Sequence, residues 1–322
     1  MKVSVVIPLY NEVENIDPLC NELHEALSTL KDEYEIIFVD DGSQDETWQK
    51  LKEQTQNIPH IRLIQLRRNF GQTAAMSAGF HHSKGDIVVT LDGDLQNDPH
   101  DIPTLLEHIE KTQADVVSGW RKDRKDPFLS RRLPSMIANF FISKITGVYL
   151  HDYGCTLKAY RREVLQDIRL YGEMHRFIPA LASWVGGKID EVVVNHKARQ
   201  FGKSKYGLSR SSRVVLDLIT VKFLLRYSMG PIQIFGKIAG LFGLPGLVTL
   251  VVIILANFSH NIFGTELGAD LVKRPFWIII SFMLIFLGMQ FISMGLLAEI
   301  QIRTYHESQD KHTYTIKETF DG

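Results

Sequence analysis

Two stretches near the end of the chain, Ile238–Phe258 and Pro275–Ala298, contain no Asp, Glu, Lys or Arg. A helix needs about 20 apolar residues to cross a bilayer core, and each stretch is at least that long. Core helices of soluble proteins rarely stay uncharged for so long. The pattern therefore predicts two transmembrane spans, about 232–258 and 275–299, joined as a hairpin by about sixteen residues. Pro245 falls inside the first span, where a neighbouring helix can compensate for the lost backbone bond. Lys205, Arg210, Arg213, Lys222 and Arg226 precede the hairpin, and Arg303, Lys311 and Lys317 follow it. The intervening loop offers Lys273 and Arg274. That bias puts both ends of the hairpin in the cytoplasm. The first apolar run, Val3–Leu9, is too short for a secretory signal, which agrees. Four segments follow: a cytosolic domain over 1–204, a basic juxtamembrane helical connector over 205–230, the membrane hairpin over 231–300, and a polar tail over 301–322.

The first 204 residues alternate short apolar runs with helical periodicity. Strands are expected at Val3–Leu9, Glu35–Val39, Ile61–Leu66, Ile87–Leu91 and Ala114–Ser118. Helices are expected at Ile16–Leu30, Thr47–Gln54, Gln72–His82 and Pro103–Thr112, with Ser43 and Glu46 as a capping box for the second. This βαβαβ rhythm predicts a Rossmann-like α/β domain with a mostly parallel sheet. Ser130–Tyr149 mixes Arg131 and Arg132 with Met136, Ile137, Phe140, Phe141 and Ile145. It reads either as an amphipathic helix on a membrane surface or as a helix packed into the domain.

Composition removes several function classes. Charges nearly cancel, 36 basic against 37 acidic, so nothing global suggests nucleic-acid binding. Two cysteines, Cys20 and Cys155, are too few for a disulfide framework. Neither zinc-ligand spacings nor the glycine patterns of dinucleotide enzymes and P-loop NTPases occur.

The polar residues gather at strand ends. Pro8-Leu9-Tyr10-Asn11-Glu12 follows the first strand, Asp40-Asp41-Gly42-Ser43 the second, Arg67-Arg68-Asn69-Phe70-Gly71 the third and Asp92-Gly93-Asp94 the fourth. Parallel strands bring these four segments to one sheet edge, where open α/β sheets bind ligands. Carboxylates one residue apart, as at Asp92 and Asp94, repel each other unless something intervenes. They are either solvated turn residues or a hard-cation site shared with a substrate diphosphate.

Taken as a set, Ser4–Glu12, Asp40–Ser43 and Asp92–Gln96 resemble the family-2 glycosyltransferases of GT-A fold. Asp152–Arg162 and Arg199–Tyr206 are similar to the polyprenyl-phosphate branch, which includes dolichol-phosphate mannose synthases and bacterial undecaprenyl-phosphate glucosyltransferases. The hairpin also fits that branch. The resemblance implies that Pro8, Tyr10, Glu12, Asp40, Asp41 and Arg68 hold a nucleotide-sugar. It implies that Asp94 and Gln96, with Asp92 close by, ligate Mg²⁺ or Mn²⁺. It makes Asp152 the base or acceptor-positioning carboxylate, with Asp92 and Asp94 also catalytic. Some relatives carry a second acidic residue after the glycine of this motif, where this chain has Cys155. An acceptor phosphate monoester has a second pKa near 6, so its oxygen is mostly ionised at neutral pH. The enzyme then needs mainly to place that oxygen and screen two anions from each other. Arg121, Arg131, Lys158, Arg199, Lys203 and Lys205 are candidates for that task, with Ser204 as a hydrogen-bond donor. His175-Arg176-Phe177 is a further candidate lining segment.

The implied reaction is the inverting transfer of one hexose from a nucleotide diphosphate sugar to polyprenyl phosphate at the cytosolic face of a bacterial cell membrane. UDP-glucose is the expected donor, with GDP-mannose or a UDP-linked modified sugar as alternatives. A processive polysaccharide synthase is disfavoured, because no Gln-x-x-Arg-Trp motif occurs. A membrane-anchored nucleotide-binding scaffold is the reading from another class, and the intact Asp92, Asp94 and Gln96 argue against it. Homo-oligomers are compatible with paired hairpins.

Overall fold

The computed structural model describes residues 2–56, 58–123, 133–168, 170, 172, 174–198, 231–263, 275–308 and 316–321. They form two units, one built from the chain up to residue 198 together with 316–321, the other from the hairpin. Arg131, Arg199, Lys203, Ser204, Lys205 and the connector 205–230 lie outside the described residues.

The first unit is a single eight-stranded sheet with helices against it. Its strands are β1 (Lys2–Leu9), β2 (Glu33–Asp40), β3 (Ile61–Leu66), β4 (Ile87–Thr90), β5 (Val116–Trp120), β6 (Lys158–Arg161), β7 (Ile189–Val193) and β8 (Ile316–Asp321). Between them lie α1 (Ile16–Ser28), α2 (Thr47–Gln54), α3 (Gln72–His82), α4 (Ile102–Thr112), α5 (Leu133–Thr146), α6 (Arg162–Gln166) and α7 (Ile178–Trp184). The strand order is β7-β5-β6-β4-β1-β2-β3-β8.

β1 is central and buried on both faces, as its mostly apolar run requires. Alternate side chains serve opposite layers. Val3, Val5 and Ile7 join the core cluster that includes Leu19 and Leu23 of α1 and Leu105 and Ile109 of α4. Val6 points the other way, onto α3, where Gly79 packs so closely that a Cβ would overlap the Val6 side chain. The chain builds outward from β1 through β2 to β3, then returns to place β4 on the other side of β1, parallel to it. The switch point of the sheet therefore lies between β1 and β4.

The expected parallel sheet is present, with two departures. β6 inserts between β4 and β5 and runs antiparallel to both, so β5 does not simply extend the parallel series. β8 is the second. Residues 301–322 read as a polar tail, but Ile316–Asp321 pairs antiparallel with β3. Strand and charge are compatible there, because edge strands commonly carry charged residues. Lys52 of α2 secures it with an ion pair to Glu318 at 2.6 Å. The capping box also does not form. Ser43 Oγ instead accepts the Asn11 N–H at 2.9 Å, and the Thr47 N–H is taken by Asp45 Oδ1 at 3.1 Å.

The second unit consists of α8 (Pro231–Phe263) and α9 (Pro275–Ser308). Within them Ile234–Ser259 and Pro275–Ala298 are long and apolar enough to cross a membrane. Small residues let the two backbones approach. A Cβ on Gly288 would lie 3.0 Å from both the Ala239 carbonyl and Gly243 Cα, and one on Gly246 would lie 2.8 Å from Leu284 Cβ. Replacing Gly288 by Leu forces the helices apart. The expected cost is about 1–3 kcal/mol, read as a lower unfolding midpoint of the full chain in detergent.

Candidate active site

The C-terminal ends of β1, β2 and β3 form one half of the site. After β1, Asn11 adopts a left-handed backbone at φ 51°, a conformation Asn tolerates better than most residues. Its side-chain oxygen accepts the Gln44 N–H at 2.8 Å, while its own N–H goes to Ser43, so the β1 and β2 loops are stitched together. Glu12 donates its backbone N–H to Thr47 Oγ1 at 3.0 Å. Pro8, Tyr10 and Glu12 are half-buried along this seam.

Asp40 and Asp41 are both buried, and each has a different task. Asp40 accepts from the Ser43 N–H at 3.0 Å and from Gln65 Nε2 at 3.1 Å. Asp41 reaches across to the β3–α3 loop, where it accepts the Phe70 and Gly71 N–H groups at 2.7 and 2.9 Å. Burial pushes its carboxyl up to about 6, against the pull of those two N–H bonds, and the neighbouring Asp40 adds to the rise. Gly42 sits against the Arg68 backbone at φ 69°, where any Cβ would collide. Arg68 itself is exposed, its guanidinium 4.5 Å from the Phe70 ring centroid.

At the switch point, Gly93 packs on Leu9 so tightly that a Cβ would overlap Leu9 Cδ2. This contact explains the glycine between two acids. Asp92 and Asp94 are both half-buried on either side of it. Asp92 accepts from Gln72 Nε2 at 2.7 Å, and Asp94 accepts the Gln96 N–H at 3.2 Å. Leu95, fully buried at φ 60°, turns the chain so that the acids stay at the edge while the apolar side chain enters the core. Asn97 then anchors the segment by donating to Thr156 Oγ1 at 2.8 Å. Among the described residues no three or more His, Cys, Asp or Glu gather as a closed metal cage. Two carboxylates and the Gln96 amide at an open edge fit instead a hard cation completed by diphosphate oxygens.

The other half of the site comes from β5 and the segment before β6. Arg121, just past β5, grips Asp152 with two prongs: Nε to Oδ2 at 2.7 Å and Nη2 to Oδ1 at 3.1 Å. Asp152 is buried, and Asp92 also lies within electrostatic reach of Arg121. Lys158 is placed differently from the phosphate-facing role that its sequence suggested. It is buried, and its Nζ donates to the carbonyls of Tyr153 and Cys155, bracing the 152–156 loop from inside. Burial lowers its pKa, while the Asp152 and Asp92 carboxylates work to keep it charged. Cys155 is fully buried and its thiol is pushed up by that burial, so it is not an activated nucleophile. His175 is packed rather than lining an acceptor path. Its Nδ1 is 2.8 Å from Thr73 Oγ1, and burial lowers its pKa to about 3.

Several contributors escape a sequence reading. Gln72 and Gln65 orient Asp92 and Asp40, and nothing in their sequence context marks them. Trp120 and His151 stack at 4.1 Å beside the Arg121–Asp152 pair, and His151 also pairs with Glu191. Their signal is adjacency, since each immediately precedes a member of that pair.

The sequence model of glycosyl transferase family 2 matches residues 4–169. Those residues span the strand-end loops and the Asp152–Lys158 segment. The chain belongs to glycosyltransferase family 2. It is 41% identical to the dodecaprenyl-phosphate galacturonate synthase of Rhizobium johnstonii over 100% of this chain and 94% of the relative. It is also 37% identical to the undecaprenyl-phosphate 4-deoxy-4-formamido-L-arabinose transferase of Edwardsiella ictaluri, over 98% of this chain and 93% of the relative. Among solved structures, glucosyl-3-phosphoglycerate synthase from Mycobacterium tuberculosis superposes with a TM-score of 0.55 at 18% identity, covering 70% of this chain and 79% of the other. That likeness supports the GT-A fold. The glycosyltransferase is thus an α/β enzyme domain of mostly parallel sheet, followed by two helices able to form a transmembrane hairpin.

Two outcomes test this geometry. Below pH about 6 Asp41 takes up a proton, and the β3–α3 loop loses its charge-assisted hold on two N–H groups. The donor KM of the wild-type enzyme is expected to rise as pH falls through that value, and Asp41→Asn to flatten the profile. Arg121→Lys keeps the charge and loses the fork, and kcat is expected to fall on the order of 10²-fold through misplacement of the 152–156 loop.

Proposed function

We propose that this glycosyltransferase moves a single sugar, with inversion, from a nucleotide diphosphate sugar to a polyprenyl phosphate on the cytosolic face of the membrane. The observation that carries the reading is the reach of the similarity. Relatives whose names specify polyprenyl phosphates match the hairpin as well as the site. Both flanks of the hairpin contribute strands to one sheet, which supports placing both ends of the chain on the cytosolic side.

The β1, β2 and β3 loops, with Pro8, Tyr10, Glu12, Asp40, Asp41 and Arg68, hold the nucleotide. Asp94 and Gln96, with Asp92 beside them, hold Mg²⁺ or Mn²⁺. A cation held there would supply Lewis-acid stabilisation of the leaving diphosphate. The acceptor oxygen is already ionised at neutral pH, so no strong base is required. Both Asp152 oxygens are engaged by Arg121, which favours a positioning role for Asp152 over proton removal. Among the described residues the pair uses Nε and Nη2 of Arg121, leaving Nη1 to meet the acceptor phosphate. Arg131, Arg199, Lys203, Ser204 and Lys205 remain proposed partners of that phosphate.

The named relatives carry galacturonate and 4-deoxy-4-formamido-L-arabinose. The donor panel therefore begins with UDP-linked forms of those sugars and retains UDP-glucose and GDP-mannose. Purified enzyme, undecaprenyl phosphate and each donor are incubated with and without Mg²⁺ or Mn²⁺. One UDP-sugar is expected to yield a single-sugar lipid product, with loss in chelator. Asp94→Asn is expected to lower transfer by on the order of 10³-fold with unchanged thermal unfolding. Full transfer in chelator would falsify the metal assignment, and a product bearing several sugars would remove the single-transfer reading.

A further inference from the structure

Three consecutive residues at the start of α3 are each held by a different part of the enzyme. Among the described residues no side chain caps the helix at Gly71, whose backbone stands at φ 96°. The Gly71 N–H goes instead to Asp41 Oδ2 at 2.9 Å, and Gln72 Nε2 goes to Asp92 Oδ1 at 2.7 Å. The Thr73 hydroxyl lies 2.8 Å from His175 Nδ1. These holds come in turn from the β2 loop, from the switch point and from the 3₁₀ turn Met174–Phe177, which packs against α3. The remaining buried face of the helix does little to fix its place along the sheet. It consists of Ala74, Ala75, Met76, Ala78 and Gly79, so Met76 is its one large side chain. Val6 locks the far end at Gly79. At the near end Thr73 and His175 are both buried, and a hydroxyl that deep must find a partner. Burial and the Arg176 and Lys158 charges lower the His175 pKa to about 3, so this hold does not titrate near neutral pH.

Asp92 requires such a hold. Arg121 and Lys158 both attract it, and Arg121 is already engaged by Asp152. If Gln72 shifts, Asp92 is drawn into competition with Asp152 for the same guanidinium. We propose that His175 is a positioning residue for sugar transfer: it pins Thr73, the pin sets Gln72, and Gln72 keeps Asp92 at the switch point against the pull of Arg121 and Lys158. The kinetic consequence rests on the proposed function, whereas the mechanical link from residue 175 to residue 92 does not.

The link is read first without turnover, by amide hydrogen exchange of the full chain in detergent. His175→Phe keeps a ring and loses Nδ1, while Thr73→Val keeps the shape and loses the hydroxyl. Each is expected to speed exchange on the order of fivefold in residues 71–76 and also in 92–96, as loss of one hydrogen bond implies. Gln72→Leu is expected to cut the relay, so that adding His175→Phe to it speeds 71–76 and leaves 92–96 at the Gln72→Leu rate. Faster exchange confined to 71–76 in the variants that keep Gln72 reduces His175 to packing and overturns the proposal, as does unchanged exchange in both segments. Thr73→Val, the smaller change, decides if His175→Phe loosens the whole sheet. In the activity arm, both single variants are expected to lower kcat on the order of tenfold with donor KM within about twofold of wild type. His175→Asn, whose amide can meet Thr73 from nearly the place of Nδ1, is expected to keep most of kcat. The double variant is expected to fall no further than the deeper single, because both act through one link. Losses that multiply, or that appear in KM alone, overturn the positioning role. Absence of transfer by the wild-type enzyme to any polyprenyl phosphate would remove the proposed function and leave the exchange result to decide the link.

Discussion

The parallel pairing of β1 with β4 is the constraint on which the rest of the enzyme depends. It joins the first three strands to the remainder of the sheet and creates the switch point. Strand ends that are 80 residues apart in the chain become neighbours there. The pairing is paid for by burial of β1 on both faces, and two glycines make the fit possible. Gly79 lets α3 close on Val6, and Gly93 lets the Asp92–Asp94 turn close on Leu9. Each glycine is thus explained by packing rather than by flexibility.

Around that pairing the site is organised as two halves with opposite electrostatic characters. The half at the ends of β1, β2 and β3 is built on buried carboxylates that hold loops by their N–H groups, as Asp40 and Asp41 do. The half beyond β5 places cations beside carboxylates: Arg121 on Asp152, and Lys158 beneath the same loop. Removing one member of such a buried pair leaves an uncompensated charge, which is strongly destabilising. Asp92 stands between the halves, bound by Gln72 on one side and within electrostatic reach of Arg121 and Lys158 on the other. The proposed reaction brings two anionic phosphates together, and countercharges set before the substrates arrive would serve it.

The local elements were largely legible. Thr47–Gln54, Ile61–Leu66 and Gln72–His82 have the bounds their periodicity predicts, because each is a short apolar or amphipathic run closed by clear turn residues. The hairpin was legible for a cruder reason, since no charge interrupts it. Less legible were the elements whose order is set by distant partners. β6 begins at a lysine inside the Asp152–Arg162 motif, where periodicity predicts no strand, and it becomes one between β4 and β5. β8 follows a membrane segment and carries no strong strand pattern, yet the open edge of β3 recruits it. The Ser43 capping box looked sound locally and lost to Asn11, which lies 32 residues away and offers a donor in a tighter place.

By itself the sequence determined the alternation of strands and helices, the two membrane-length helices and the residue types at each strand end. Those depend on periodicity and composition, which are local and additive. Only the tertiary structure decided which charge meets which. Arg121 and Lys158 look alike in sequence, as candidate cations for an acceptor phosphate. Folding pairs one with Asp152 and turns the other into the protein, because a buried loop must have its carbonyls satisfied. Pairing of that kind depends on distance through space, and distance is what the chain acquires when β1 and β4 come together.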